Sequence, residues 1–236
     1  MENAKPKDSD QINLTDEESR IMTSQGAFIQ GYNAQAAVDT DSHIVLAAEI
    51  SNQAADAPHF SSVVNNTIAN TGKKPDRVSA DPGYYSEQNI QQAEELGIEV
   101  FIPPDRVRRS ELRAQQSPKG RIPKNLSTKD RMRRKLATKA GKRHYLQRQS
   151  SVEPVFGNTK ANRGLQQFHH RGLEKNHHLF RFDMVPHNIQ KLLWQARRCL
   201  APPGASKAAG KQGNKVQHHC SQPNQPSTLK KQQPQE

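Results

Sequence analysis

The pattern of apolar and polar positions predicts a β-hairpin over residues 27–50. In its first strand, apolar residues alternate with polar or small ones: Tyr32, Ala34, Ala36 and Val38. This two-residue period is typical of a strand with one buried face. Residues 39–42, Asp-Thr-Asp-Ser, have the chemistry of a turn, and an apolar run from Ile44 to Ala48 predicts the returning strand.

Helices and short strands alternate after the hairpin. Apolar residues at helical spacing predict a helix over 56–71, with Asp56 as a plausible cap and Gly72 at the C-terminal end. A strand over 77–81 ends in Asp81, a second helix starts at Ser86, and an apolar run over 98–102 predicts another strand. This order predicts an α/β layer in which helices pack on a sheet.

The composition changes after residue 104. Residues 105–148 hold sixteen Lys and Arg against three acidic residues, which is typical of a connector or of an electrostatic contact surface. Helical apolar spacing returns over 150–196, although Pro186 is expected to interrupt the second helix. We therefore predict five segments: a flexible lead-in (1–20), a sheet portion (21–104), a basic connector (105–148), a helical portion (149–198) and a disordered polar tail (199–236).

Net charge and targeting signals indicate which class of partner and which cellular location to expect. The net charge of +12 and the pI of about 9.9 favour a polyanionic partner, either nucleic acid or an anionic membrane surface, although a solvated basic surface is the simpler interpretation. The N-terminus has no signal-peptide pattern and no run is long enough to span a membrane, so a cytoplasmic protein is expected. Neither the two cysteines nor the adjacent histidine pairs have the spacing of a metal site.

Two carboxylates are candidates for metal chemistry. Asp81 ends a predicted strand, where open α/β sheets bind ligands, although an Asp that opens a turn is the commoner case. Glu153 is predicted at the start of a helix capped by Ser150 or Ser151, where the helix dipole alone would also favour an acidic residue.

Cationic and aromatic side chains flank Glu153. Lys160 lies two helical turns further on the same face, and Tyr145 and Arg148 precede it. A carboxylate can hold a divalent cation while neighbouring Arg and Lys bind DNA phosphates.

Several motifs together resemble the C-terminal catalytic portion of DDE-type insertion-sequence transposases. They are GYNAQAAVD, VSADPGYYSEQN and YLQRQSSVEPVFGNTKANRG, supported by RMRRKLATKAG before the last of them and by RGLEKN and HNIQKLL after it. They occur in the family's order over about residues 13–195.

The resemblance implies a ribonuclease H-like mixed sheet flanked by helices, with two Mg²⁺ (or Mn²⁺) ions held by three carboxylates for DNA strand cleavage and strand transfer. It assigns the second carboxylate to Asp81 and the third to Glu153. Tyr145, Arg148 and Lys160 match the family's Y-R-E-K signature and are expected near DNA. The usual spacing is Y-x2-R-x3-E-x6-K, and this chain has one extra residue between Arg148 and Glu153.

The resemblance also implies that a strand is missing. In the family, the first catalytic Asp lies on a strand that precedes the hairpin and occupies the sheet centre. Here only polar sequence precedes residue 27, and Asp16, Asp39 and Asp41 are poor substitutes. We therefore expect an N-terminally truncated transposase that is catalytically incomplete as this chain. A non-catalytic DNA-binding fragment and a non-functional remnant remain alternatives. DNA is the expected partner, with a homodimer on DNA, no membrane and no small-molecule substrate.

Overall fold

The computed structural model describes residues 13–24, 27–123, 125–165, 167–200 and 227–232. Its strands are β1 (Arg20–Ser24), β2 (Ala27–Gly31), β3 (Asn33–Asp39), β4 (Val45–Ser51), β5 (Arg77–Ser79), β6 (Glu99–Phe101) and β7 (Ser227–Gln232). Its helices are α1 (Phe60–Thr71), α2 (Glu87–Glu95), α3 (Arg109–Ala114), α4 (Thr128–Ala137), α5 (Lys139–Arg163) and α6 (Leu173–Leu200). The chain is thus a mixed α/β protein, as the sequence predicts.

A five-stranded mixed sheet forms the centre of the fold. Its strand order is β4-β3-β7-β5-β6. Strand β3 pairs antiparallel with both β4 and β7, whereas β5 pairs parallel with both β6 and β7. Strands β1 and β2 form a separate antiparallel pair. The middle strand of the sheet therefore comes from the C-terminal end of the chain.

The predicted hairpin is present as β3 and β4. Its turn closes with the N–H of Asp39 donating to the carbonyl of Ile44, and the Asp39 carboxylate accepts from the N–H of Ser42. His43 adopts a φ of 58°, a left-handed conformation that a tight turn requires. The prediction missed the preceding pair β1–β2.

The two faces of β3 belong to different cores. Ala37 packs with Phe60 of α1 and Val78 of β5. Residues on the opposite face of β3, including Ala36, pack with residues of α5 and α6, including Val152. Successive side chains of a strand point to opposite faces, so the sheet is covered by helices on both sides.

Of the three caps predicted for the first two helices, Gly72 and Ser86 are present in the structure, and the side-chain cap by Asp56 is not. Gly72 ends α1 in a left-handed conformation with φ of 66°, and the Ser86 hydroxyl accepts from the N–H of Asn89 at the start of α2. Asp56 occupies the N-cap position of a short 3-10 helix before α1, but its side chain makes no capping hydrogen bond there. The side chain is buried, and its carboxylate accepts from the side-chain amide of Asn33 at 3.0 Å. Its role is to link β3 to the turn before α1.

The basic segment over 105–148 contains α3, α4 and the first part of α5. Helix α5 starts where the Thr138 hydroxyl accepts from Gly141 N–H, and it runs without a break to Arg163. The predicted boundary between residues 148 and 149 therefore falls inside α5, and Ser150 and Ser151 are not caps. Pro154 lies within this helix; its missing N–H leaves only one carbonyl of the turn without its helical donor.

Helix α6 also continues through its proline, contrary to the expectation that Pro186 interrupts it. Asn188 fixes α6 to the edge strand, because its side chain bonds both the N–H and the carbonyl of Val45 at 2.8 Å. The predicted apolar face of this helix lies largely in solvent, and its exposed members include Phe182, Val185, Ile189, Leu192 and Leu193. The buried face is instead formed by Asn176, Phe180, Met184 and His187.

The two ends of the chain differ from the predicted flexible lead-in and disordered tail where the structure describes them. Asp16 accepts hydrogen bonds from the Tyr32 hydroxyl and from Gly172 N–H. In the tail, residues up to Leu200 belong to α6 and β7 forms a strand, while residues 1–12, 201–226 and 233–236 lie outside the described residues. No helix among the described residues is long and apolar enough to cross a membrane.

Candidate functional site

Asp81 lies where the sequence places it, just beyond the C-terminal end of β5. The N–H of Ala80 still bonds the carbonyl of Phe101 at 3.3 Å, and Asp81 is extended, with φ of −67° and ψ of 158°. A short 3-10 turn follows over Pro82–Tyr84, closed by Tyr84 N–H donating to Asp81 O at 3.0 Å. Proline at the first position of this turn removes an N–H that would have had no partner.

A buried arginine neutralises this carboxylate. Nη1 of Arg148 lies 2.6 Å from Oδ1 of Asp81, and the Arg148 side chain is 6% exposed against 24% for Asp81. The contact between the two side chains is an ion pair and not an aligned hydrogen bond. Neither Nε nor Nη1 of Arg148 has a hydrogen-bond acceptor in suitable geometry among the described residues. Arg148 is thus directed into the protein and not towards a ligand in solvent.

Tyr145 completes the contact on α5. The Arg148 guanidinium carbon lies 5.2 Å from the centre of the Tyr145 ring, within the range of a cation–π contact. Burial raises the pKa of the Tyr145 hydroxyl, the Asp81 charge raises it further, and Arg148 opposes both. The phenol therefore stays protonated at neutral pH and can donate a hydrogen bond.

A set of buried polar groups behind Asp81 was not predicted as part of the site. Tyr84 is fully buried, and its hydroxyl has no hydrogen-bond partner among the described residues. Burial raises its pKa well above the usual value, and the charges of Asp56 and Asp81 raise it further. A Cβ at Gly83 would lie 2.2 Å from Oδ2 of Asp56, so only glycine lets this turn approach that carboxylate. In the sequence, the run Asp-Pro-Gly-Tyr-Tyr over residues 81–85 is the signal from which these buried groups could have been predicted.

Glu153 and Lys160 occupy a different side of α5. Glu153 is exposed and Lys160 is half-buried, whereas Arg148, Val152 and Val155 form part of the buried face of the same helix. The seven-residue spacing keeps Glu153 and Lys160 on a common face, as predicted. The structure thus brings Asp81, Tyr145 and Arg148 together, and it gives Glu153 and Lys160 more exposed positions than Arg148 on the same helix.

The described residues do not assemble a ligand set for a metal pair. Among them there is no group of three or more His, Cys, Asp or Glu side chains that could hold a metal ion. Asp81 has the hard oxygen ligands that Mg²⁺ requires, but its charge is matched by Arg148. The described residues therefore show no complete ligand set for the two ions that the sequence predicts.

Part of the basic segment stabilises the fold. Lys135 bonds the carbonyl of Val100 at 2.9 Å, pairs with Glu99 at 3.2 Å and lies over the ring of Phe101. Arg134 donates to the carbonyl of Gly120 at 2.7 Å. Other cations on α4 and α5 are exposed to solvent, and three of them are Arg131, Lys139 and Arg143.

Comparison with known proteins matches the chain to a family. The family model described as the transposase DDE domain matches residues 6–182 of the 236. No curated protein and no solved structure matches the chain.

Proposed function

The chain belongs to the transposase DDE domain family, and from this premise we propose that it acts on DNA, in the cleavage and strand-transfer reactions of transposition. Members of this family typically depend on a divalent metal. The observation that carries the proposal is Asp81 at the carboxyl end of β5, inside the matched region and on a mixed sheet of the expected kind. Ligands of open α/β sheets bind at such strand ends.

The strand arrangement supports a ribonuclease H-like fold. The resemblance implies a mixed sheet with a central strand in addition to the hairpin. Here β3 and β4 form the hairpin, β7 is central, and β5 leads into Asp81. The difference is that the central strand follows the rest of the domain in the chain.

Each candidate residue has a proposed role. Asp81 and Glu153 are the carboxylates of the cleavage site, and Lys160 is a phosphate-binding cation on the face of Glu153. Tyr145 and Arg148 act from within by fixing the position and charge of Asp81. Because the described residues do not form the ligand set of a metal pair, we derive no step through Mg²⁺ or Mn²⁺. We propose that the site is incomplete in this chain.

A specific observation favours a second function, non-catalytic DNA binding. Asp81 is paired with a buried arginine, while exposed cations remain on α4 and α5. Such a surface binds phosphates without cutting DNA, and its affinity falls steeply with salt concentration.

Location in the cytoplasm and dimerisation on DNA stay predictions.

The test is a strand-cleavage and strand-transfer assay on duplex DNA carrying the sequences that flank the gene, with Mg²⁺ or Mn²⁺. The parent is compared with Asp81→Ala, with Glu153→Ala and with Glu174→Ala, which removes an exposed carboxylate from α6 as a matched control. Activity lost in the first two variants and kept in the third supports the enzyme. Activity unchanged by Asp81→Ala contradicts the assignment of the site.

The same proteins distinguish the second function. If the parent does not cut, binding to the same DNA is measured across salt concentrations with and without a chelator. Binding that depends on salt and ignores the chelator supports non-catalytic DNA binding. If the chain neither cuts nor binds, both functions are wrong.

A further inference from the structure

Helix α6 has an exposed apolar face opposite the face that packs on the protein. Its packed face is formed by Asn176, Phe180, Met184 and His187, all of which are buried. At about 100° per residue, Ile189 lies about 160° around the helix from His187, so it points away from that face. Ile189 belongs to a row of exposed apolar residues, called here the outer stripe: Phe182, Val185, Ile189, Leu192, Leu193 and Ala196.

The outer stripe is large for an apolar surface in contact with water. Its five large side chains are between 48% and 72% exposed. At roughly 200 Å² for a whole side chain of this kind, they expose about 500 Å² of apolar surface in one row. Two copies of the chain that covered each other's stripes would bury about 1,000 Å², which is the area at which specific protein interfaces begin.

The spacing of the outer stripe is that of a coiled coil. Steps of three and four residues alternate along it and continue to the exposed Cys199, which places six residues at heptad positions a and d. Because the opposite face of α6 is already held by the core, this short row needs only to dock a partner helix. The six positions are Phe182, Val185, Ile189, Leu192, Ala196 and Cys199.

The distribution of charge favours a second copy of this chain as the partner. The formal net charge is +12, so two copies repel each other unless they meet on an uncharged surface. Between residues 182 and 199, heptad positions a, d, e and g carry no charged residue. A partner of opposite charge would be selected by charged residues at e and g, and this helix has none there. The charged residues of this stretch are at positions b and c: Asp183, Lys191, Arg197 and Arg198.

The segment that follows α6 in the chain does not have the composition to cover the outer stripe. Residues 201–226 contain one large apolar residue, Val216. A helix that packs along such a row needs three to four apolar residues in every two turns. The composition of this segment does not supply them, which leaves a second copy as the better match.

Antiparallel packing of two copies fills the layers of the interface evenly. Parallel packing would set Phe182 against Phe182 and Ala196 against Ala196, which overfills one layer and leaves a gap in another. Opposed helix dipoles also favour the antiparallel arrangement. A two-fold axis at the middle of the row instead matches each larger side chain with a smaller one, or with one of equal size: Phe182 with Cys199, Val185 with Ala196, and Ile189 with Leu192.

We propose that the outer stripe of α6 is a self-association surface, on which a second copy of this chain packs as an antiparallel two-stranded coiled coil. The contact forms without DNA. The proposal does not rest on the DNA chemistry above, because no residue of the outer stripe belongs to the candidate site. The surface and the direction of packing are tested separately.

Sedimentation velocity of the full chain, freed of nucleic acid and measured across a concentration series, tests the surface. The parent should form a dimer with twice the monomer mass of 26.5 kDa. Ile189→Glu sets a charge at the centre of the outer stripe and should weaken dimerisation at least tenfold. Gln190→Glu adds the same charge at the neighbouring exposed position and should leave dimerisation unchanged. A parent that stays monomeric at every concentration, or two variants that dimerise alike, overturns the proposal.

Disulfide trapping tests the direction of packing and does not depend on a charged variant. In a full chain with Cys199→Ser and Cys220→Ser, the pair Val185→Cys/Ala196→Cys should link position 185 of one copy to position 196 of the other. Either substitution alone should give no linked dimer, because like positions lie about 16 Å apart along the axis of an antiparallel pair. Linked dimers from a single substitution overturn antiparallel packing, and the absence of linked dimers from the pair overturns the interface.

Discussion

Removing either partner of the Asp81–Arg148 pair should destabilise the fold by unequal amounts. At 2.6 Å the gross attraction is about 6 kcal/mol at an effective dielectric of about 20, and desolvation of both groups offsets most of it. Asp81→Asn leaves a guanidinium that is 6% exposed without its counter-charge, which should cost about 3–5 kcal/mol of unfolding free energy. Arg148→Met leaves a carboxylate that is 24% exposed and reachable by water, so we expect about 1–2 kcal/mol.

The double variant gives a test of sign. In the Asp81→Asn background, Arg148→Met removes the unpaired cation, so the double variant should be more stable than Asp81→Asn alone. Urea unfolding followed by circular dichroism measures all four proteins. Arg133→Met, which breaks exposed ion pairs with Asp105 and Asp130, is the matched control and should leave the midpoint within error. A double variant less stable than Asp81→Asn would refute a buried ion pair as the stabilising contact.

Three further predictions concern α5, α6 and DNA. Gly141→Ala should cost about 2–3 kcal/mol, because a Cβ there would lie 2.1 Å from the carbonyl oxygen of Lys135, whereas Gly157→Ala meets no atom within 4 Å and should stabilise by about 0.5–1 kcal/mol in the same urea assay. Burial lowers the pKa of His187 in the folded protein. The free energy of unfolding should therefore be constant above about pH 6.5, the ordinary pKa of histidine, and should decrease as the pH falls towards the lowered folded-state pKa. A melting temperature no lower at pH 5.5 than at pH 7.5 would contradict this. For DNA binding, we expect the slope of log affinity against log salt concentration to become shallower by about 2–3 when Arg131, Lys139 and Arg143 are all replaced by Ala. The slope should not change in the control variant Arg148→Met.

The sequence predicted the elements whose signals are local. The β3–β4 alternation, Gly72 at the end of α1, Ser86 at the start of α2 and the position of Asp81 after β5 all depend on neighbouring residues. Short-range pattern and capping chemistry specify such features directly.

Features that depend on tertiary contacts were missed or misplaced. Ser150 and Ser151 are typical caps, yet α5 passes through them, and Val152 and Val155 are buried against the core on the far side of the sheet from α1. Strand β7 has no apolar pattern at all, and it is a strand because β3 and β5 offer backbone partners. The ion pair of Asp81 with Arg148 joins residues 67 positions apart, which spacing within one motif cannot indicate.

The unbroken course of α5 gives the extra residue before Glu153 a geometric meaning. At about 100° per residue, the usual four-residue step from Arg to Glu turns the helix to about 40°, while the five-residue step here turns it to about 140°. No substitution can reverse such a rotation. Deleting one residue between Arg148 and Glu153 would reverse it, but it would also turn Gly141 and Arg148 out of phase with Val152, Val155 and Phe156, which share the buried face. The packing of α5 therefore makes the insertion difficult to undo, and it holds Glu153 on the side of the helix away from Arg148.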